Sequence, residues 1–352
     1  MSETAQRQVG ALGEPQAGPP PAGGIGPRLR TAVAAAGQQR ELTVLVVVAL
    51  LIVYFGFVSP IGRSTFFTSV DIINLGQIAA PIIIIAIGEV LLLICGEIDL
   101  SPGFVYTFAP FLMYFLITYY DVPVIVAMFL SLVMGLVVGW INGFLTVTLG
   151  VPSFIATLGT GFMLYGITLT TSDATQASIP PGAVRIGNWI GAFSYSEIVW
   201  AIALVAVFHV VLVRTRWGLH TIAVGGNQLG AREAGINVAR VKYGNFMVTG
   251  VLGALVGLQI AFQTSVIDPS AGGYQPMFYS VAAAVIGGTA MLGGSGTIIG
   301  AFLGSVMLAV LIDGFDVIGI SAYPINIIFG GTILVAMIAN VQLARLRALG
   351  RR

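Results

Sequence analysis

The sequence has very few of the residues that catalytic and metal sites use. Its 352 residues include one cysteine, two histidines and a single lysine, Lys242. One cysteine excludes an internal disulfide and a thiolate metal site, and two histidines are too few for a histidine-rich metal site. The lysine follows Val241, so a phosphate-binding loop of the Gly-x-x-x-x-Gly-Lys-Ser/Thr kind is excluded. We therefore expect no metal and no cofactor on this chain, and any ATP that drives it must be bound by a separate protein.

Charge of either sign is scarce as well. Only 8% of the residues are charged and 57% are hydrophobic, whereas an average soluble domain has roughly 25% charged residues. The mean hydropathy is +0.97. This composition predicts an all-α integral membrane protein whose main partner is the lipid bilayer, and it gives no reason to expect a nucleic-acid partner.

Ten apolar segments approach the length of roughly 17–25 residues that a transmembrane helix needs. They are approximately 42–59, 74–95, 102–120, 123–148, 153–171, 196–213, 243–266, 278–292, 295–312 and 324–341. The eighth is short and is bounded by glycine pairs, which is typical of a broken or re-entrant helix that faces protein or a water-filled cavity. We therefore predict about ten transmembrane or re-entrant helices.

The basic residues indicate which side of the membrane each loop occupies. Thirteen of the fifteen lie in three segments, 1–40, 214–242 and 344–352, and basic loops stay in the cytoplasm. Six apolar segments precede the central segment and four follow it, and both numbers are even, as this orientation requires. We expect a disordered cytoplasmic tail at 1–40, a transmembrane domain at 41–343, a basic cytoplasmic tail at 344–352, and both termini in the cytoplasm.

The central segment 214–242 contains five basic residues and one acidic residue. Within it, Asn227 to Gly235 is predicted to be a short helix, which follows a chain break at Gly225-Gly226 and ends in a left-handed cap at Gly235. Such a helix is either a docking point for a soluble partner or an ordinary connector between two spans. The residues alone leave both interpretations open.

Two carboxylates interrupt the apolar part of the chain at Gly96-Glu-Ile-Asp-Leu-Ser-Pro-Gly103. At bilayer depth each would cost at least ~2.5 kcal/mol, unless the stretch forms an inward-facing turn or lines a wet pathway. Asp99 or Ser101 could instead cap the helix that begins with Pro102 in its first turn. Residues 86–103 also faintly resemble 285–296, and structural repeats with broken helices are common around transport sites.

Four ordered strings of residues resemble one protein family. They are 96–103, Asn142-Gly143 followed by 151–160, 223–237 and 283–300. Together they resemble the permease subunits of bacterial ATP-binding-cassette importers for simple sugars, of the ribose, xylose and galactose type. The resemblance covers about residues 42 to 342. Three positions depart from the family pattern, which commonly has glutamate at Gln228, alanine at Gly230 and glycine at Glu97.

This resemblance implies a multi-pass permease of the bacterial cytoplasmic (inner) membrane, which is not itself an enzyme. The implied partners are a second permease copy in a homodimer or close pair, a cytoplasmic ATPase subunit that binds ATP-Mg, and an extracytoplasmic sugar-binding protein that delivers a monosaccharide. The implied ATPase-coupling residues are Gly226, Asn227, Ala231, Arg232, Glu233, Ala234, Gly235 and Ile236. The candidates for the translocation pathway or gate are Glu97, Asp99, Ser101, Asn142, Phe154 and Thr157.

An ion-coupled secondary transporter is the alternative function. It would use protons or sodium through Glu89, Glu97 or Asp99 and would need no ATPase.

Overall fold

The computed structural model describes residues 40–59 and 62–319, together with the single positions 327, 330, 331, 334, 335 and 338. Apart from Arg40, the predicted tails 1–40 and 344–352 lie outside the described residues. The last predicted segment, 324–341, does too, apart from the six single positions.

The described residues are almost entirely helical. In chain order the helices are α1 Arg40–Val53, α2 Gly62–Thr65, α3 Ser69–Ile94, α4 Pro102–Tyr120, α5 Val124–Gly143, α6 Ser153–Ser172, α7 Pro181–Gly187, α8 Ser196–Arg214, α9 Arg216–Gly226, α10 Gln228–Glu233, α11 Val238–Thr264, α12 Tyr274–Ile286 and α13 Ile298–Val317. Helices α1, α5 and α7 continue as π-helical turns, at Tyr54–Val58, Phe144–Thr148 and Asn188–Ala192. Two short strands, β1 Ala177–Ser178 and β2 Val266–Ile267, pair antiparallel.

Eight helices in this part of the chain are long and apolar enough to cross a membrane. They are Glu41–Val58, Ser69–Ile94, Pro102–Tyr120, Val124–Thr148, Ser153–Ser172, Ser196–Arg214, Val238–Thr264 and Ile298–Val317. The six spans predicted before the central segment are all present, which confirms an all-α membrane protein. The segment predicted to be broken is the 13-residue helix α12, which stops before Gly287.

Helix α11 begins earlier than the apolar pattern indicates. It starts at Val238 because the Asn237 side chain accepts a hydrogen bond from the backbone N–H of Arg240, at 2.9 Å. Such a side-chain bond stabilises a helix start. The basic residue Lys242 therefore belongs to this span and not to a loop.

Helix α3 lies at the centre of the protein. Every residue from Ile82 to Ile94 is buried, and neighbouring helices α8, α11, α12 and α13 pack around it. A helix that is apolar on all its faces is expected in such an enclosed position. Helix α5 packs against α11 through glycines: a Cβ added to Gly139 would lie 2.2 Å from the carbonyl oxygen of Phe246. Gly135 and Gly139, one turn apart on α5, therefore let the backbones of α5 and α11 approach closely within the chain.

The two glycine-rich breaks of the faint repeat lie against each other. The first break, 95–101, joins α3 to α4, and the second, 287–297, joins α12 to α13. The backbone N–H of Gly294 donates a hydrogen bond to the carbonyl oxygen of Ile94, at 2.9 Å. Gly293 and Gly294 have φ angles of +88° and +86°, which L-residues with side chains rarely adopt. Both breaks are thus parts of one junction.

Candidate functional site

The central segment folds as two short helices, α9 and α10, which meet at Asn227. The Asn227 side chain accepts the backbone N–H of Gly230 at 3.0 Å, which starts α10. Gly235, with a φ angle of +80°, follows the helix end as predicted. The predicted break at Gly225-Gly226 is wrong, because both glycines form the last turn of α9.

The reason for glycine at position 225 is close packing and not a chain break. A Cβ added there would lie 1.7 Å from the carbonyl oxygen of Ile94 and 2.9 Å from the backbone nitrogen of Gly294. No side chain fits in that space. The end of α9 therefore packs directly on the last residue of α3 and on the second break.

Helix α10 is anchored to the first break by its apolar side. Ala231 is buried in a cluster with Cys95, Val224, Val238 and Val241, and Ile236 packs against this cluster. Cys95 is the residue that ends α3. The other predicted coupling residues are exposed: Gly226, Asn227, Arg232, Glu233, Ala234 and Gly235. The short helix thus has one face on the junction and one face free for a partner.

Two exposed leucines were not predicted from the sequence. Leu229, on α10, is 71% exposed, and Leu292, in the second break, is 98% exposed. Leu229 lies on the same short helix as the exposed coupling residues Arg232 and Glu233. The sequence signal available for Leu229 was the one large apolar side chain in this six-residue helix.

A network of buried polar side chains holds the first break. Asp99 Oδ1 accepts the backbone N–H of Ser101 at 2.8 Å. Asn142 Nδ2, on α5, donates to both Asp99 carboxylate oxygens at 3.3 Å and to Ser101 Oγ at 2.8 Å. Thr160 Oγ1 donates to Asn142 Oδ1 at 2.6 Å. The amide of Asn142 is therefore shared between the break and α6.

Helix α6 also satisfies backbone groups of the break. Thr157 Oγ1 accepts the N–H of Leu100 at 2.9 Å, and Ser153 Oγ accepts the N–H of Ile98 at 3.2 Å. A stretch without regular structure inside a membrane needs such partners, because lipid offers none. These bonds hold an extended stretch of backbone in place between two helices.

The structure thus brings together four of the six residues predicted for the pathway or gate. Asp99, Ser101, Asn142 and Thr157 are all fully buried, so they do not face an open path in this conformation. Phe154 is 51% exposed and lies outside the network. The predicted capping role of Asp99 is wrong: Ser101 holds the N-cap position of α4, its side chain makes no capping hydrogen bond, and Asp99 accepts the N–H of Ser101 instead.

The remaining predicted residue, Glu97, pairs with Lys242. Lys242 Nζ lies 2.5 Å from Glu97 Oε1, and the side chains are 12% and 13% exposed. The pair joins the first break to the beginning of α11. No sequence pattern indicates it, because the two residues are 145 positions apart. Nearby, Glu89 Oε2 accepts the N–H of Asp99 at 3.5 Å.

Comparison with known proteins shows which family the chain is similar to. The model of the family described as "Branched-chain amino acid transport system / permease component" matches residues 72–338. The "Xylose/arabinose import permease protein XylH" of Sulfolobus acidocaldarius is 35% identical over 314 residues, covering 87% of this chain and 86% of that protein. The "Probable ABC transporter permease protein YphD" of Escherichia coli is 33% identical, covering 89% and 92%. The "Ribose import permease protein RbsC" of Escherichia coli is 30% identical, covering 86% and 93%.

No solved structure matches the chain significantly. The family match and the three relatives nevertheless cover most of its length, including both breaks and the two short helices. The resemblance inferred from the four residue strings is thereby confirmed, and the chain belongs to the family of transport-system permease components.

Proposed function

We propose that the chain is the translocation subunit of an ATP-driven importer, and that it moves a monosaccharide delivered by an external binding protein. The observation that carries the proposal is the contact of α9 and α10 with both breaks of the membrane domain. Motion of these short helices is transmitted to the broken helices without a flexible linker, because the contacts are backbone to backbone at Gly225 and apolar at Ala231.

The names of the relatives support a pentose as the substrate. Two of them are described as xylose/arabinose and ribose import permeases. A neutral sugar needs no counter-charge in the membrane, which agrees with the scarcity of charged residues in the spans. The third relative is described as a probable ABC transporter permease, which supports an ATP-driven importer over an ion-coupled transporter.

In the proposed orientation α9 and α10 face the cytoplasm, and an ATPase subunit binds them. Leu229, Arg232 and Glu233 give this surface an exposed apolar residue flanked by both signs of charge. Closure of the ATPase around ATP-Mg would displace α10, and the junction of the two breaks would move with it. The Glu97–Lys242 pair and the Asn142 network would keep the first break attached to α5, α6 and α11 during that motion.

We expect a second copy of the chain to bind against helix α6. Its exposed face includes Phe154, Ile155, Phe162, Met163 and Ile167. A Cβ added to Gly159 or Gly166 on the same helix would meet no atom within 4 Å. Open glycines on an apolar helix face allow two helices to approach closely in lipid, so we expect α6 to lie at the homodimer interface.

The test compares uptake by complete and incomplete systems in proteoliposomes. We expect uptake of labelled xylose to require the ATPase, ATP and the external binding protein, and to be independent of proton and sodium gradients. Leu229→Asp should abolish stimulation of the ATPase by the permease. Gln228→Asp is the matched control, because it adds the same charge at the neighbouring exposed position and removes no apolar surface. Uptake by the permease alone along an ion gradient would support the ion-coupled alternative and overturn the proposal.

A further inference from the structure

A cavity of about 610 Å³ opens where α4 and α6 end. Its walls are the last turns of α4, from Phe111 to Tyr119, and the segment from Thr171 to Pro181. The 27-residue helix α11 begins beside α10 and ends beside this segment, at the β1–β2 ladder. With a rise of 1.5 Å per residue it separates the two places by about 40 Å. The cavity is therefore remote from the ATPase-coupling surface.

One wall of the cavity is aromatic. The rings of Tyr114 and Phe115 lie 5.7 Å apart at 65°, and those of Phe115 and Tyr119 lie 5.9 Å apart at 33°. Tyr114 and Tyr119 also meet edge to face, at 6.3 Å. The three rings therefore hold one another in place. Neither tyrosine hydroxyl has a hydrogen-bond partner among the described residues, so both are available to a ligand.

The opposite wall is polar and is held in an unusual conformation. Asp173 and Ala174, which follow α6, are successive residues with φ angles of +49° and +51°. Non-glycine residues in this region are strained, and such strain is found preferentially at functional sites. The segment is fixed next to them, because Gln176 Nε2 donates to Asp268 Oδ2 at 3.0 Å and Ala177 pairs with Ile267. The Asp173 carboxylate and Gln176 Oε1 have no partner within the described part of the chain.

These groups select a class of ligand. The volume falls within the range of about 300–1,000 Å³ that is usual for small-molecule sites. Asp173 is the one charged side chain among the lining residues, so the cavity disfavours phosphates and carboxylates. Two tyrosine hydroxyls can donate, and Asp173 and Gln176 can accept. Sugar hydroxyls both donate and accept and can therefore pair with all four groups, whereas an ammonium ion can only donate to them.

We propose that this cavity is a sugar-binding subsite on the outer face of the permease, in which a pyranose or furanose ring lies on Tyr119 and its hydroxyls bond to Asp173 and Gln176. The proposal rests on the proposed function, because it takes the substrate class and the orientation from it. The subsite would receive the sugar after its release from the binding protein and hold it at the entrance to the membrane domain.

The test measures binding of D-xylose to the purified full-length permease in lipid nanodiscs, without ATPase, by saturation-transfer NMR. We expect Tyr119→Ala to weaken xylose binding roughly tenfold, since it removes the ring on which the sugar lies. Tyr119 is 67% exposed, so this truncation leaves the fold intact. Asp173→Asn should weaken binding several-fold while keeping the backbone, because asparagine tolerates the left-handed conformation.

Tyr120→Ala is the matched control. Tyr120 is the adjacent tyrosine, 74% exposed, and does not line the cavity. Equal effects of the two tyrosine substitutions would mean that both belong only to the aromatic belt at the membrane interface, and would overturn the proposal. So would wild-type permease that binds no xylose, or that binds tetramethylammonium in preference to it. Because the assay contains no ATPase, a failure of ATPase coupling leaves its result unchanged, and the two proposals fail separately.

Discussion

Replacing Gly225 by alanine tests whether α9 transmits motion by direct contact. The added Cβ would lie 1.7 Å from the carbonyl oxygen of Ile94, and real Cβ atoms essentially never approach another atom closer than 3.0 Å. The end of α9 must therefore move away from the end of α3 by about 1.3 Å to restore a separation of 3.0 Å. The obstacle is backbone and not a flexible side chain, so a change of rotamer does not relieve it. The backbone of Gly225 itself needs no special φ angle, which leaves the steric effect as the only large one.

The expected energy of this change is that of an overpacked core, about 1–3 kcal/mol. Gly226→Ala provides the reference value. A Cβ at Gly226 meets nothing within 4 Å, and alanine is favoured over glycine in a helix by up to about 1 kcal/mol. The two variants thus add the same atom at neighbouring positions, and we expect the free energy of unfolding to fall in one and to rise in the other.

Three measurements on each variant decide the matter: the thermal midpoint, the ATPase rate of the assembled importer and xylose uptake. We expect Gly225→Ala to reduce uptake more than it reduces ATP hydrolysis, because α10 still binds the ATPase but no longer moves the breaks in step. Gly226→Ala should not lower the thermal midpoint and should keep the ratio of uptake to ATP hydrolysis, because its added methyl group touches neither α3 nor the second break. If Gly225→Ala has the thermal midpoint and the xylose uptake of the unchanged protein, the contact with Ile94 does not transmit motion and the proposed route is wrong.

Three further predictions concern the Glu97–Lys242 pair, the hydrogen bonds of Asn142 and the β1–β2 ladder. Lys242→Gln should destabilise the protein by about 2–4 kcal/mol, because it leaves the mostly buried carboxylate of Glu97 without a counter-charge. In a double-mutant cycle of thermal unfolding, adding Glu97→Gln should recover part of this loss, and additive effects of the two substitutions would contradict the pairing. Asn142→Leu should cost about 1–3 kcal/mol, since it removes the amide N–H group that the buried Asp99 carboxylate and Ser101 Oγ accept. It should also lower uptake in protein that still folds, and an unchanged thermal midpoint and uptake would exclude a role for the network. Donation from the Ser270 hydroxyl lowers the pKa of Asp268 below its usual 3.8. The Asp268 carboxylate therefore stabilises the β1–β2 ladder fully above pH 3.8, and this stabilisation is lost as the pH falls through the lowered pKa. Hydrogen exchange of the ladder amides should show the loss, and Asp268→Asn should abolish the pH dependence.

Much of the architecture follows from the sequence because lipid imposes simple requirements. An apolar run of about twenty residues forms a helix in a membrane, since no other structure satisfies its backbone there. This is why the six spans before α9 and the short, broken α12 are predictable from composition. The cap at Asn237 shows where the same reasoning fails. A side-chain hydrogen bond extends α11 into a basic stretch that hydropathy assigns to a loop.

The sequence named four residues of the buried network, Asp99, Ser101, Asn142 and Thr157, but not its members Ser153 and Thr160 or the arrangement of the six. The motif strings identify Asp99, Asn142 and Thr157 without indicating that one amide serves two chain segments. The glycines at 225 and 226 look identical in sequence, yet one fits against a carbonyl oxygen and the other faces open space.

The sequence by itself determined that this protein is a bundle of membrane helices with a basic segment between α8 and α11, and with no nucleotide-binding loop of the Walker type, because those properties depend on composition and local pattern. Only the tertiary structure decided that the single lysine pairs with Glu97, that the two breaks touch, and that Gly225 presses on Ile94. These contacts join residues far apart in the chain, and their geometry depends on how helices pack, which no local pattern specifies.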